Sequence, residues 1–378
     1  MSEQPNIIIV GASARAAAFS ALRAGMRPYA IDLFADCDLA DVCPAVKIES
    51  YPHDFEQALA KAPEVPWIYT GGLENYPDLV ERMSARRPLY GNGAEVLRQI
   101  RDPRSLAACL AECDVFQVPE IHASTPPANS EKQWLRKPRR SSAGLGIRRA
   151  ELGKRLAGEE HCYYQEFIPG PCRSVVYLAR SGDCELLGVT AQKSGVAEVP
   201  EEPFLYAGSD ASGPGDSDDV DLLCDLGRKL TKTFGLRGLF NADFANDDSL
   251  LEINPRYSAS VEVLEHCRGK NFLALHWREF EPEYSGQTEC WLSNRMNTVA
   301  KRVVYAAQDC TVTPELERLR RSWNVERLLP CLADIPRAGD ILRRGQPVVT
   351  VIAEGQGAEV QRLLNSRIEA VKLALSPV

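Results

Sequence analysis

Four consecutive aliphatic residues, Ile7-Ile8-Ile9-Val10, run straight into Gly11-Ala12-Ser13-Ala14-Arg15 and then into the alanine-rich stretch Ala16–Ala24. A half-solvated strand alternates apolar and polar residues. An unbroken apolar run instead reads as a strand covered on both faces, as in a parallel sheet. With a glycine turn and a helical stretch directly behind it, the segment predicts the first strand–helix unit of a doubly wound α/β domain. Tyr29–Leu33 and Trp67–Thr70, the latter stopped by Gly71-Gly72, read as its next strands. The turn departs from Gly-x-Gly-x-x-Gly, because Ser13 and Ala16 stand at the second and third glycine positions. A tight strand-to-helix turn is therefore favoured over a dinucleotide site, and an anion at that helix N-terminus stays open.

At roughly 150 residues per domain, 378 residues predict two or three packed units. Hydrophobic residues make up 44% and charged residues 25%, which excludes a disordered chain, a collagen and a coiled-coil rod. A formal charge of −8 gives no general attraction to nucleic acid or an anionic membrane, a local basic pocket aside. No apolar run approaches the roughly 20 residues that cross a bilayer. MSEQPN enters the first strand without a signal-peptide pattern, so the expected location is cytoplasmic. Twelve cysteines are scattered singly, the nearest pair being Cys109 and Cys113, and read as free, mostly buried thiols. His53, His122, His161, His266 and His276 have no metal-ligand spacing, which argues against zinc or iron.

Chemistry concentrates in three later segments. In Leu135-Arg136-Lys137-Pro138, a strand delivers Lys137, and a small-residue loop over Ser141–Gly146 follows, containing Ser142, Gly144 and Gly146. A fixed ammonium beside a loop whose backbone N–H groups can approach closely is what a polyphosphate needs, although Gly-Lys-[Ser/Thr] is missing. A glycine hairpin with a solvated lysine accounts for this segment about as well. In Tyr163-Tyr164-Gln165-Glu166-Phe167-Ile168, a short apolar strand carries one acid, which is either an edge-strand charge or an acceptor for an adenine amino group and a ribose. In the third segment Asp243 is expected to end a strand and Asp247-Asp248 to turn it. Glu252 and Asn254 then lie two apart on the returning strand, on one face. Two carboxylates and an amide form an oxygen-only set that suits Mg²⁺, and Arg256 follows where it can grip an acyl group or phosphate bidentately. Three exposed polar residues on an ordinary hairpin are the alternative.

In this order the segments resemble the ATP-grasp superfamily over roughly residues 1–280, most closely in Glu252-Ile253-Asn254-Pro255-Arg256. The resemblance implies an N-terminal doubly wound pre-ATP-grasp domain (1–102), an α+β ATP-grasp domain (103–284) and a small C-terminal elaboration (285–378). It implies that Lys137, Ser142, Gly144, Gly146, Gln165, Glu166, Phe167 and Ile168 bind ATP. Asp243, Glu252 and Asn254 would hold Mg²⁺ or Mn²⁺, and Lys137 and Arg256 would be catalytic. The second nucleotide-contacting lysine of many members is not evident, and the hairpin is short. A weaker resemblance, in layout, is to ATP-grasp proteins of the methanofuran and tetrahydromethanopterin C1-carrier pathway. The activity implied is an ADP-forming ligase that joins a small-molecule carboxylate to an amine through an acyl phosphate, with no nucleic-acid or membrane partner and room for a homodimer. A small-molecule kinase and a non-catalytic ATP-binding protein are the alternatives. No Met-Lys-Met biotinyl motif is present, which counts against a biotin-dependent carboxylase.

Around these segments, Asp102-Pro103 reads as a boundary with Pro103 opening a helix that runs on through Ser105–Cys113. Ala123–Ser130 reads as a linker, and the acidic Gly208–Asp221 as a solvated loop. Thr298–Ala306, Pro314–Arg327 and Pro347–Ala353 read as strand, charged helix and strand.

Overall fold

The computed structural model describes residues 4–124, 130–151, 161–211, 219–288, 298–325 and 328–378. The aliphatic run forms the strand Ile7–Gly11, buried along its whole length. It pairs in parallel with Pro28–Asp32 on one side and Trp67–Tyr69 on the other, and Ala45–Lys47 completes a four-stranded parallel sheet. The helix Arg15–Arg23 packs an alanine face on this sheet, so the α/β reading holds for the first unit. Asp32 caps the turn: its carboxylate accepts N–H groups from Ala14 (2.5 Å), Phe34 (2.7 Å) and Ala35 (2.7 Å). A carboxylate tied to its own domain's backbone supports the tight-turn reading over a ribose acceptor.

Pro103 opens the helix Pro103–Leu110, with Asp102 accepting from the Arg104 N–H at 3.0 Å. Most of the expected linker, residues 125–129, lies outside the described residues. Beyond it, Trp134–Pro138 and Cys162–Glu166 pair antiparallel in a small sheet, with Lys137 opposite Tyr163 and Leu135 opposite Gln165. Opposite residues share a face, so Leu135, Lys137, Tyr163 and Gln165 point the same way. A larger eight-stranded sheet carries the hairpin Gly238–Ala245 and Ser249–Asn254 at its edge.

The acidic Gly208–Asp221 stretch is not a loop throughout. Tyr206–Ala211 is a strand paired with both Asp183–Ser194 and Thr298–Tyr305, residues 212–218 lie outside the described residues, and Val220 begins a helix. Composition misleads here because Gly208 serves pairing: at φ +154° any Cβ would sit 2.0 Å from the Lys301 carbonyl oxygen. This pairing carries the large sheet past residue 285 into Thr298–Tyr305 and Pro347–Gly355. The expected charged helix spans Pro314–Trp323 and stops short of Arg327, and residues 326–327 are outside the described residues.

A buried ionic cluster ties the first unit to the rest. Arg15 pairs with Glu262 and with Asp334 (2.9 Å), and Lys301 donates to Glu262 at 2.6 Å. Such a cluster fixes relative position more than it adds stability, since desolvation offsets much of the attraction.

Candidate active site

The shared face of the small sheet looks across a cleft of about 730 Å³ at the hairpin of the large one. On the small-sheet side, Lys137 is buried and its ammonium donates to Gln165 Oε1 at 3.0 Å. Gln165 Nε2 is buried without a hydrogen-bond partner. An unsatisfied buried donor costs on the order of 1–3 kcal/mol, so its presence in a cleft wall points to a ligand acceptor. Ser142 and Gly144 line the cleft as well. Gly144 needs its missing side chain: at φ +75° a Cβ would lie 1.9 Å from the Phe204 carbonyl oxygen. Gly146 stands apart from this lining, because its N–H is engaged by Glu202 Oε2 at 2.9 Å. Glu202, also paired with Arg148 at 2.5 Å, docks that end of the loop on the Val199–Leu205 segment, so the structure does not bring Gly146 together with Ser142 and Gly144.

Glu166, Phe167 and Ile168 line the same cleft. Glu166 is turned towards Lys132 (2.9 Å) and the Glu120 N–H (3.3 Å), which are its neighbours in this structure. Leu135, Phe204 and Leu251, none of them singled out from sequence, add apolar walls beside Phe167, which the Arg149 guanidinium covers at 4.2 Å. The result is an apolar slot with polar groups at one end.

Across the cleft, Asp243 does not end its strand, which continues to Ala245, and the turn begins at Asn246 with φ +52°. Asp243 lies opposite Glu252 and Asn241 opposite Asn254, so all four share a face. Asn254 Nδ2 donates to Asp243 Oδ2 (2.9 Å) and Glu252 Oε1 (3.2 Å), while Asp243 Oδ1 accepts from Asn241 (2.7 Å) and Gln192 (3.0 Å). Asn241 and Gln192 were missed in the sequence. Period-two spacing from Asp243 could have found Asn241, but nothing local marks Gln192. Burial, then the charge of Glu252, pushes Asp243 up to about 6. Burial also works to raise Glu252, yet the charges of Arg101 and Lys137 and the Asn254 amide hold it below the usual carboxylate range. Lys137 thus acts on Glu252 across the cleft.

Two adjacent carboxylates with amides and no histidine or cysteine are chemically suited to a hard cation. Among the described residues no group of three or more His, Cys, Asp or Glu converges, so a cation here would draw further oxygens from a bound phosphate. Asn241 Oδ1, buried and without a partner, is one more oxygen on this face.

Arg256 lies just beyond the strand, which ends at Asn254. It still faces the cleft, but not as a free fork. Its Nε and Nη2 donate to Glu74 Oε1 at 3.0 and 2.9 Å, and Nη2 also donates to Asn254 Oδ1 at 3.1 Å. Glu74 comes from the short turn Leu73–Asn75 of the first unit, directly after Gly71-Gly72. Gly72 takes φ +101°, and a Cβ on Gly71 would lie 3.5 Å from the Arg256 guanidinium. A Cβ on Gly71 would thus only touch Arg256, whereas one on Gly72 would lie 2.1 Å from the Tyr51 hydroxyl, so it is Gly72 that the turn requires. Beside Arg256 the helix Ala259–Arg268 begins, and Ser258 Oγ at its start is buried without a partner. The cation of Arg256, the open helix N-terminus and the orphan hydroxyl together favour an anion.

A lysine with a glycine loop on one sheet, facing a carboxylate hairpin on another across an apolar slot, defines a two-lobed nucleotide-cleft protein. Residues 100–260 match the family model of the ATP-grasp domain, so this part of the chain carries an ATP-grasp domain. Solved structures share its fold along almost its whole length. They include the ADP complex of purK, an N5-carboxyaminoimidazole ribonucleotide synthetase (TM-score 0.67, 16% identity, 98% of this chain and 97% of that one). An L-amino acid ligase from Bacillus licheniformis is similar (0.65, 14% identity, 99% and 98%). So is the biotin carboxylase domain of the Hydrogenobacter thermophilus 2-oxoglutarate carboxylase, solved with MgADP, ADP and bicarbonate (0.65, 13% identity, 99% and 91%). No curated protein matches the chain by sequence. No helix among the described residues is long and apolar enough to cross a membrane.

Proposed function

We propose that the protein is an ADP-forming carboxylate–amine ligase acting on small molecules. The observation that carries this reading is the cleft itself. Lys137 and Gln165 face Asp243, Glu252 and Asn254, and Arg256 and Ser258 line the same cleft.

Adenine fits the slot of Leu135, Phe167, Ile168, Phe204 and Leu251, with Gln165 and Glu166 at its polar edge and the phosphates running past Lys137, Ser142 and Gly144. Asp243, Glu252 and Asn254 would hold Mg²⁺ or Mn²⁺, which supplies charge neutralisation at the transferring phosphoryl group. This chain's own residues do the rest by positioning and electrostatics. Lys137 anchors the phosphates. Arg256, oriented by Glu74, holds the acid's carboxylate with the first N–H groups of the Ala259–Arg268 helix and Ser258. The carboxylate attacks the γ-phosphorus, the β–γ bridging bond breaks to ADP, and an acyl phosphate forms. The amine then attacks the acyl carbon, phosphate leaves, and the amine's proton goes to solvent or to the phosphate.

The similar structures named for an amino acid ligase and a ribonucleotide synthetase support this reaction class. A homodimer and a cytoplasmic location belong to the same proposal. An acid and an amine from C1-carrier cofactor assembly rest on the layout resemblance alone. The test is a screen of candidate acids and amines for ADP release, with mass detection of the product. ADP release that needs both an acid and an amine, with a condensed product, supports a ligase. ADP with only a phosphorylated product contradicts it.

A further inference from the structure

A second cavity, of about 620 Å³, opens beside the nucleotide cleft and shares only Arg101 and Tyr163 with it. It lies between the helices Pro77–Ser84, Ala94–Ile100 and Pro103–Leu110 and the end of the lysine strand. Its lining holds six arginines, Arg82, Arg98, Arg101, Arg104, Arg139 and Arg140, against two aspartates, Asp78 and Asp102. That surplus runs against a formal chain charge of −8.

Three of the six are already engaged. Arg98 pairs with Asp78 (2.6 Å) and Glu81 (2.5 Å), Arg82 with Glu56 (2.9 Å), and Arg101 reaches Glu252 at 3.5 Å. Arg104, Arg139 and Arg140 have no carboxylate partner within salt-bridge distance among the described residues. Two of them rest on aromatic faces instead: Arg139 lies 5.8 Å from the Tyr163 ring centroid and Arg140 5.3 Å from that of Tyr76. An aromatic face orients a guanidinium while leaving N–H edges to bind oxygen. The first unit meets the glycine-loop segment beside this space, where Asn75 Nδ2 donates to the Ser141 carbonyl at 3.0 Å and Arg140 lies over Tyr76.

We propose that this cavity binds a phosphorylated small molecule whose phosphoryl oxygens bridge Arg104 on the helix Pro103–Leu110 and Arg139 and Arg140 just beyond the lysine strand. Arg104, Arg139 and Arg140 are solvent-exposed, and such planar forks lining one cavity suit a phosphoryl group, which takes paired N–H···O bonds. The volume is that of a small-molecule site. The site is separate from the nucleotide because Lys137, Gln165 and the carboxylate hairpin line only the other cleft. The inference is independent of the ligase reading.

The experiment is titration calorimetry on the full chain, saturated with a non-hydrolysable ATP analogue so that the main cleft is filled. Tripolyphosphate, glycerol 3-phosphate and inorganic phosphate are the probes. Tripolyphosphate and glycerol 3-phosphate are expected to bind the loaded protein. R104A and the R139A/R140A double variant should each weaken that binding by about tenfold or more, as loss of charge-assisted contacts implies. Affinity for the analogue itself should stay within about threefold in both variants, since ligand-bound groups elsewhere couple weakly at distance. Absence of binding to the loaded protein, or binding that neither variant weakens, overturns the proposal. Parallel loss of analogue affinity would make these arginines part of the nucleotide site and also overturns it. Inorganic phosphate binding as tightly as glycerol 3-phosphate would mark a site for released phosphate and overturn the small-molecule assignment.

Discussion

Glu74 Oε1 accepts both the Nε and Nη2 hydrogens of Arg256, at 3.0 and 2.9 Å, across the junction between the parallel-sheet unit and the hairpin. Both side chains are largely buried, Glu74 at 2% and Arg256 at 13% exposure. The residue expected to handle the acyl group is thus aimed by a carboxylate from another domain. Arg256→Lys and Glu74→Ala should each lower turnover by roughly a hundredfold, on the scale of a lost buried charge-assisted pair. ATP affinity should change little in both. Steady-state kinetics beside calorimetric ATP binding check this, and a fall in ATP affinity would move Arg256 into the nucleotide site.

Lys137 is held by Gln165 and faces the hairpin carboxylates. Lys137→Ala should abolish turnover and weaken ATP binding by about 2–4 kcal/mol, as for an uncompensated phosphate charge. An unchanged calorimetric affinity would remove Lys137 from the phosphate site.

The two acids of the hairpin should behave unlike those of its turn. Activity is expected to require Mg²⁺ or Mn²⁺. Glu252→Gln should cost far more activity than Asp248→Asn, since the Asp248 carboxylate accepts from Gln117 and Ser249 at the turn. Metal titrations of the two variants decide it. Equal losses would place the metal elsewhere.

A pH effect on stability follows from His276. Its Nδ1 accepts the Leu239 N–H at 2.8 Å and its Nε2 donates to the Tyr90 carbonyl at 2.9 Å, an arrangement only the neutral ring can make. Burial pushes it down to about 4. Because the folded value lies below the unfolded one, the unfolded state takes up the proton first as pH falls. Stability is therefore full above about pH 6.5 and declines towards pH 4, by up to about 1.4 kcal/mol per pH unit. In calorimetric scans between pH 7 and 4.5, His276→Gln should start less stable but lose less on acidification. A parallel acid loss would contradict the assignment.

Much of this was written locally. The run Ile7–Val10 with its glycine turn specifies a buried parallel strand and helix, and Glu252-x-Asn254 places a carboxylate and an amide on one strand face. Glu74 was not legible, because its meaning lies in a contact with Arg256 182 positions away. Gly71-Gly72 reads as a strand stop, whereas Gly72 is required by its φ of +101° and by the Tyr51 hydroxyl packed against it. The placement of Gly146 was not legible for a similar reason: Glu202, 56 residues on, takes its N–H. Gly208 shows the converse, a glycine in an acidic run that permits sheet pairing instead of breaking it.

The central claim is that acid and ATP react before the amine takes part. Positional isotope exchange in ATP carrying ¹⁸O at the β–γ bridge, measured with the acid present and the amine absent, tests it most directly. Exchange is expected in the wild type, with a stable condensed product appearing only once the amine is added. Arg256→Lys is expected to suppress the exchange while ATP still binds. No exchange with any acid that supports turnover, or a lasting phosphorylated product with no second substrate, would contradict it.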